Sequence, residues 1–143
     1  MGLNVTLIHG DGVAVRWAWA TAHGFPFTPE TETEDVYSEQ TEYDDPAWLG
    51  TRTVTWVKEI NGMAVYTDVK FRGTVYNDLA YEIDAPRFEQ VCHPRQVVQL
   101  RNAISQFLAS GRTSEWPSRE RLEHFKTLLD WMVLNHLGME GDD

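Results

Sequence analysis

The sequence predicts an α+β fold, with an antiparallel β-sheet of hairpins and meander in the N-terminal two-thirds packed against a C-terminal antiparallel two-helix hairpin. Three observations predict it. Apolar residues alternate with a period of two on both sides of Asn61-Gly62. After Pro94 they recur at intervals of three and four. The two patterns are segregated along the chain rather than interleaved, which separates an α+β architecture from a βαβ one. The 143 residues fit one domain, 1–143, mainly β over 1–90 and helical over 93–138. A chain of this size buries about 68–70% of its unfolded surface and needs no covalent staples.

At the N-terminus Leu3, Val5 and Leu7 alternate with polar neighbours, as do Val15, Trp17 and Trp19. A three-residue loop, Gly10-Asp11-Gly12, pairs Leu7 with Val15, Val5 with Trp17 and Leu3 with Trp19, so that both apolar sets share one face. A second hairpin is expected over 51–60 and 63–72, because Asn-Gly tolerates the positive φ angles of a type I′ turn. Its register sets Ile60 against Met63, Trp56 against Thr67 and Val54 against Val69. Val54, Trp56, Ile60, Met63, Val65, Val69 and Phe71 then form the core face. Residues 74–83 are expected to continue the meander as a third strand.

Helices begin at His93-Pro94, where proline in the first turn loses no hydrogen bond. Val97, Leu100, Ile104, Phe107 and Leu108 mark one apolar stripe, with Gly111 as a left-handed cap. Leu122, Phe125, Leu128, Leu129, Met132, Val133 and Leu137 mark a second, expected to end at Gly138.

The formal net charge is −10, and eight of the acids fall in residues 30–45, which hold no lysine or arginine. Glu140, Asp142 and Asp143 add three more, so the remainder of the chain is near neutral. No basic stripe exists for direct contact with nucleic acid or anionic lipid. No apolar stretch is long enough to span a bilayer, and no basic segment precedes an apolar run at the N-terminus. With Cys92 as the single cysteine, the expectation is a reducing, cytoplasmic setting.

Motifs for chemistry are absent. Cys92-His93 is adjacent rather than spaced, and the acidic run lacks the glycine that a calcium loop needs at its sixth position. No metal, cofactor or catalytic residue is expected. His9, Asp11 and His93 are the weak candidates for a small hydrolase. His9-Gly10-Asp11-Gly12 equally satisfies the needs of a tight turn, and Cys92 reads as a buried, inert thiol.

The acidic segment is the unusual feature. An acid run is ordinarily a mobile, solvated loop, whereas the absence of glycine and the wealth of Thr, Tyr and Val favour a strand, and both readings stand. In a strand Glu30, Glu32 and Glu34 project from one face, roughly 6.6–6.8 Å apart, a repeat on the scale of a nucleic-acid backbone. Such an edge protects a sheet from aggregation or meets a partner whose Arg and Lys residues relieve its self-repulsion.

The compact, motif-free, strongly acidic profile is similar to that of many small inhibitors encoded by phages and other mobile elements, an analogy of class only. The expected function is therefore a non-enzymatic interaction protein, one that occupies a basic groove on another protein by imitating an anionic ligand. The partner fits the description of a nucleic-acid-processing or defence enzyme. Glu30, Glu32, Glu34, Asp35, Glu39, Glu42, Asp44 and Asp45 supply charge, and Tyr37 and Tyr43 supply anchors. The alternative is an oligomeric binder of a nucleotide-like metabolite, using the aromatic residues with Arg16, Arg72, Arg87 or Arg95. A dimer or higher homo-oligomer is compatible with either.

Overall fold

The computed structural model describes residues 2–64 and 67–142, leaving aside the side chains of Met63 and Ala64. Among the described residues seven strands form one sheet: β1 (Asn4–Ile8), β2 (Glu30–Tyr37), β3 (Trp48–Val57), β4 (Gly62–Ala64), β5 (Lys70–Arg72), β6 (Val91–Cys92) and β7 (Gly138–Asp142). Their order is β2-β3-β4-β5-β1-β7-β6, with every neighbouring pair antiparallel. Four helices complete the fold: α1 (Trp17–Ala22), α2 (Thr74–Glu82), α3 (Pro94–Ala109) and α4 (Arg119–Leu134). The α+β class is as the sequence predicts, with strands dominating the N-terminal part and α3 packed against α4.

Strand β1 lies inside the sheet because Leu3, Val5, Leu7 and Ile8 are all buried. The expected first hairpin forms only near its turn. His9 donates its N–H to the Val13 carbonyl and Val15 donates to Leu7, both at 2.8 Å, which is the three-residue-loop register. Beyond Val15 the pairing stops, because β5 takes the edge of β1 that Trp17 and Trp19 were expected to fill. Val5 stands opposite Phe71, and the Leu3 carbonyl accepts from Gly73. Trp17 and Trp19 lie instead on α1, partly buried against the core beside Phe25 and Trp131. The alternation that suggested a strand is also compatible with one short helical turn in the Ala-rich WAWATA segment.

The second hairpin has a different register. Lys58–Ile60 winds into a single 3₁₀ turn that drives Ile60 into the core, and Asn61 takes the left-handed conformation (φ 54°). Val57 then faces Gly62 and Trp56 faces Met63. Gly62 is needed for close approach rather than for a turn, since a Cβ there would sit 2.8 Å from the Lys70 carbonyl oxygen. Trp56, expected on the core face, is exposed, while Val54, Val69 and Phe71 are buried. The expected inward positions of Met63 and Val65 lie outside the described side chains and residues.

The expected third strand over 74–83 is helix α2. Tyr76, Leu79 and Ala80 are its buried residues, spaced i, i+3, i+4 as on a helical face. Helix α3 starts at Pro94, with the His93 N–H donating to the Gln96 side chain at 2.8 Å. Helix α4 starts after Ser118, whose hydroxyl accepts from the Arg121 N–H. It ends at Leu134, with His136 (φ 55°) providing the left-handed turn expected of Gly138. Gly138 instead opens β7, which runs between β1 and β6 with its glycines buried. Glu140 and Asp142, counted above among the C-terminal acids, thus lie on an interior strand.

One contiguous core joins sheet and helices, drawing on β1, α2, α3, α4 and β7. Tyr76 stacks on Phe125 with centroids 4.2 Å apart, and Phe71 and Phe88 approach the same ring tilted. On the outer side, Asp130 of α4 accepts from both Arg101 of α3 (3.2 Å) and Lys126 (2.9 Å). Among the described residues no helix is long and apolar enough to cross a membrane.

Candidate functional site: an acidic two-stranded arm

The acidic segment begins as strand β2, and the sheet order places that strand at an edge. Strand β2 pairs with β3 along its whole length, Glu30 opposite Trp56 through to Tyr37 opposite Trp48. Strand β4 covers only Thr55–Val57 of β3 among the described residues, so the outer part of the β2–β3 pair continues as a two-stranded arm. Among the described residues between 30 and 56, only Val54 is buried. The arm's order comes from cross-strand pairing, because it contributes no residue before Val57 to the core cluster.

Alternation divides the arm into two unlike faces. Glu30, Glu32, Glu34 and Val36 share one face with Trp56, Val54, Arg52 and Gly50 of β3. Thr31, Thr33 and Asp35 share the other with Thr55, Thr53 and Thr51. An extra residue in β3, Leu49, shifts the register between Val36 and Tyr37. Beyond this bulge Ser38 donates its N–H to the Ala47 carbonyl at 2.8 Å, and its hydroxyl accepts from the Ala47 N–H at 2.8 Å.

The tip spans residues 39–46 and carries Glu39, Glu42, Asp44 and Asp45. Asp44 is fixed by Thr41, which donates its hydroxyl to the carboxylate and accepts from the Asp44 N–H, each at 3.2 Å. Tyr43 projects from the tip, 88% exposed. Just below it Tyr37, Trp48 and Leu49 form a collar exposed by 56%, 61% and 65%. The Trp48 indole N–H donates to Asp35 at 3.1 Å, holding the ring on the threonine face.

The chain itself relieves part of the carboxylate row, which the sequence reading assigned to a partner alone. Arg52 stands directly opposite Glu34 and forms an ion pair with it. Lys58 reaches Glu30 at 3.0 Å. The hydrogen bond that Lys58 donates to Glu30, reinforced by the Glu30 charge, raises the Lys58 pKa above its ordinary value. Glu32, Glu39, Glu42 and Asp45 make no ion pair among the described residues. A cleft of about 360 Å³ lies at the base of the arm, lined by Glu30, Glu32, Trp56 and Lys58. All ten residues proposed from sequence therefore belong to one element. Sequence reasoning missed Trp48, Leu49, Arg52 and Lys58. The matching alternation of ETETED with the TRTVT stretch of β3 is the signal that pairs them.

The other candidates are dispersed or differently placed. Arg16 precedes α1, Arg72 lies on β5 with its guanidinium beside Gly2, and Arg95 is in the first turn of α3. Arg87 stacks over Tyr81 at 4.4 Å and pairs with Glu89 at 3.5 Å. None of the four lines the clefts described here. His9, Asp11 and His93 do converge, with Glu140, on a cleft of about 250 Å³ between the first turn and the start of α3. The His9 ring meets Trp19 edge-on at 4.6 Å. Among the described residues no group of three or more His, Cys, Asp or Glu is arranged to hold a metal ion. Cys92 is fully buried, and burial pushes its thiol up to about 12. Comparison with protein-family models, curated proteins and solved structures finds no match to this chain.

Proposed function

We propose that the protein is a non-enzymatic docking protein whose β2–β3 arm enters a basic groove of a partner, in the place of that partner's anionic ligand. One observation carries this reading: the acidic segment is an ordered, projecting arm whose uncompensated carboxylates surround exposed aromatic side chains. Carboxylates at the tip steer association with a basic surface, and Tyr37, Tyr43 and Trp48 supply the apolar contact area that charge alone lacks. A partner that handles nucleic acid has a groove of the required sign. Nucleic acid itself is repelled by the same arm.

Because Glu30 and Glu34 already face Lys58 and Arg52, the charges neutralised in the test are those at the tip. The test is binding to a panel of purified nucleic-acid-processing enzymes, with duplex DNA as competitor. The quadruple variant Glu39→Gln, Glu42→Gln, Asp44→Asn, Asp45→Asn is compared with the parent. Association that weakens with salt, yields to DNA, and slows on the order of tenfold in the variant is the expected result. An unchanged association rate with an unchanged salt dependence overturns the proposal.

A further inference from the structure

We propose that the outer edge of β2 is a strand-addition site for an extended basic segment of the partner, one with Lys or Arg at every second position. This rests on the reading of the arm as a docking element and specifies how it docks.

Strand β2 ends the sheet and offers eight residues for pairing, whereas β6 at the opposite edge has two. The direction of its backbone groups follows from both ends of the arm. Ser38 gives its N–H to β3-side Ala47, and in an antiparallel pair such groups alternate. Glu30, Glu32, Glu34 and Val36 therefore turn their amides toward β3, and Thr31, Thr33 and Asp35 turn theirs outward. The bulge does not disturb this parity, since its extra residue is in β3. The far end agrees. Arg72 donates to the Asn61 carbonyl, which marks Gly62 as turned away from β5 and toward Val57. That leaves Trp56 turned toward Glu30.

Thr31, Thr33 and Asp35 are all exposed. Residues 30–37 contain no proline, glycine or lysine, the usual devices that blunt an edge. Only the carboxylates guard it, and they do so selectively. Two copies of β2 paired about Thr33 would set Glu32 against Glu34 of the other copy, and like charges directly opposite are unfavourable. A second copy of this chain is thereby disfavoured as the occupant. The favoured occupant is already sketched on the inner side, where β3 places Arg52 opposite Glu34. A strand added outside occupies the mirror position, where Glu32 has no ion pair among the described residues and Glu30 and Glu34 each pair through one carboxylate oxygen only, so the row at 30, 32 and 34 accepts cations at a period of two. The intervening residues of that strand lie beside Thr31 and Thr33.

The test uses two blocked octapeptides of identical composition. One alternates lysine and threonine, and the other has four contiguous lysines followed by four threonines. The alternating peptide is expected to bind the intact protein at low salt about tenfold more tightly, as three opposite-charge cross-strand pairs would give. It should also slow amide exchange at Thr31, Thr33 and Asp35. Thr33→Pro removes an outward N–H without altering charge or the bonds to β3. It should abolish the preference while leaving the weaker binding of the block peptide. Equal binding of the two peptides to the unaltered protein overturns the proposal, as does a preference that survives Thr33→Pro. If both peptides bind equally and both weaken on neutralising the tip, strand addition fails while the acidic docking reading stands. Binding of neither peptide removes both.

Discussion

Cys92 shows how one buried group couples the fold to pH. Its side chain is fully buried where β6 meets the core, and its thiol is pushed up to about 12 from an ordinary value of 9 because burial penalises the thiolate. Below pH 9 the thiol is neutral in the folded and unfolded states alike, so its contribution is fully present. Between 9 and about 12 the unfolded chain ionises it and the folded chain does not, and stability falls as pH rises. The slope is about 1.4 kcal/mol per pH unit within that window. Unfolding free energies from urea titrations between pH 9 and pH 10.5 should fall more steeply for the parent than for Cys92→Ala, by on the order of 1 kcal/mol per pH unit. The alanine variant starts lower because it loses packing. Parallel slopes would mean that the thiol ionises without unfolding. For the same reason a thiol reagent should leave Cys92 unmodified until the chain unfolds.

At the scale of elements, the arm and the body obey different rules. The body's elements are held by buried apolar faces, while the arm is held by a ladder of cross-strand bonds and by ion pairs such as Lys58–Glu30. Replacing residues 39–46 with Asn-Gly should therefore leave the thermal midpoint within a few degrees of the parent, since Ser38 and Ala47 already pair across the gap. A large fall in the midpoint would show that the tip packs on the body. The helical hairpin was legible because an apolar face repeats every three to four residues over four turns, as in Val97, Leu100 and Ile104. The strand reading of the acidic segment was available in the sequence because Thr and Glu alternate over residues 30–34, the first five of β2. Three departures from the sequence reading have plain physical reasons. Helix α1 has six residues, too few for a period to declare itself. Helix α2 hides Tyr76, Leu79 and Ala80 in a segment whose aromatic and β-branched residues also favour a strand. The Asn61-Gly62 pair promised a tight turn, but burial of Ile60 outweighed that local preference and moved the register by four residues. In the candidate site the charges were readable, whereas Arg52, Lys58 and Trp48 became visible only once the β2–β3 register was known.

For the whole molecule, the consequential feature is that the centre of the sheet is assembled from opposite ends of the sequence. Strand β1 is flanked by β5 and by β7, and β7 pairs with β1 along its full length, Asn4 with Asp142 through to Ile8 with Gly138. Met139 and Leu137 enter the core there. Gly141 fits only without a side chain, since a Cβ would lie 2.0 Å from the Phe88 carbonyl oxygen. Its N–H donates to the Gln90 carbonyl at 2.8 Å, tying the 83–90 loop to the sheet. Without β7, the inner edge of β1 and both residues of β6 lose their partner, and the buried backbone groups exposed there have no substitute. Contacts of such long sequence separation form late, because loop closure precedes their reward. A chain ending at Leu137 should therefore lose the near-ultraviolet signal of its tryptophans and unfold without a cooperative transition. Replacing the arm's tip with Asn-Gly shortens the chain by as many residues but should leave that signal and a single sharp transition. Cooperative unfolding of the truncated chain would show that sheet and helices are secured without their last strand. Recovery of the signal on adding a peptide of residues 138–143 in trans would show the opposite, that closing the sheet beside β1 commits the molecule to its fold.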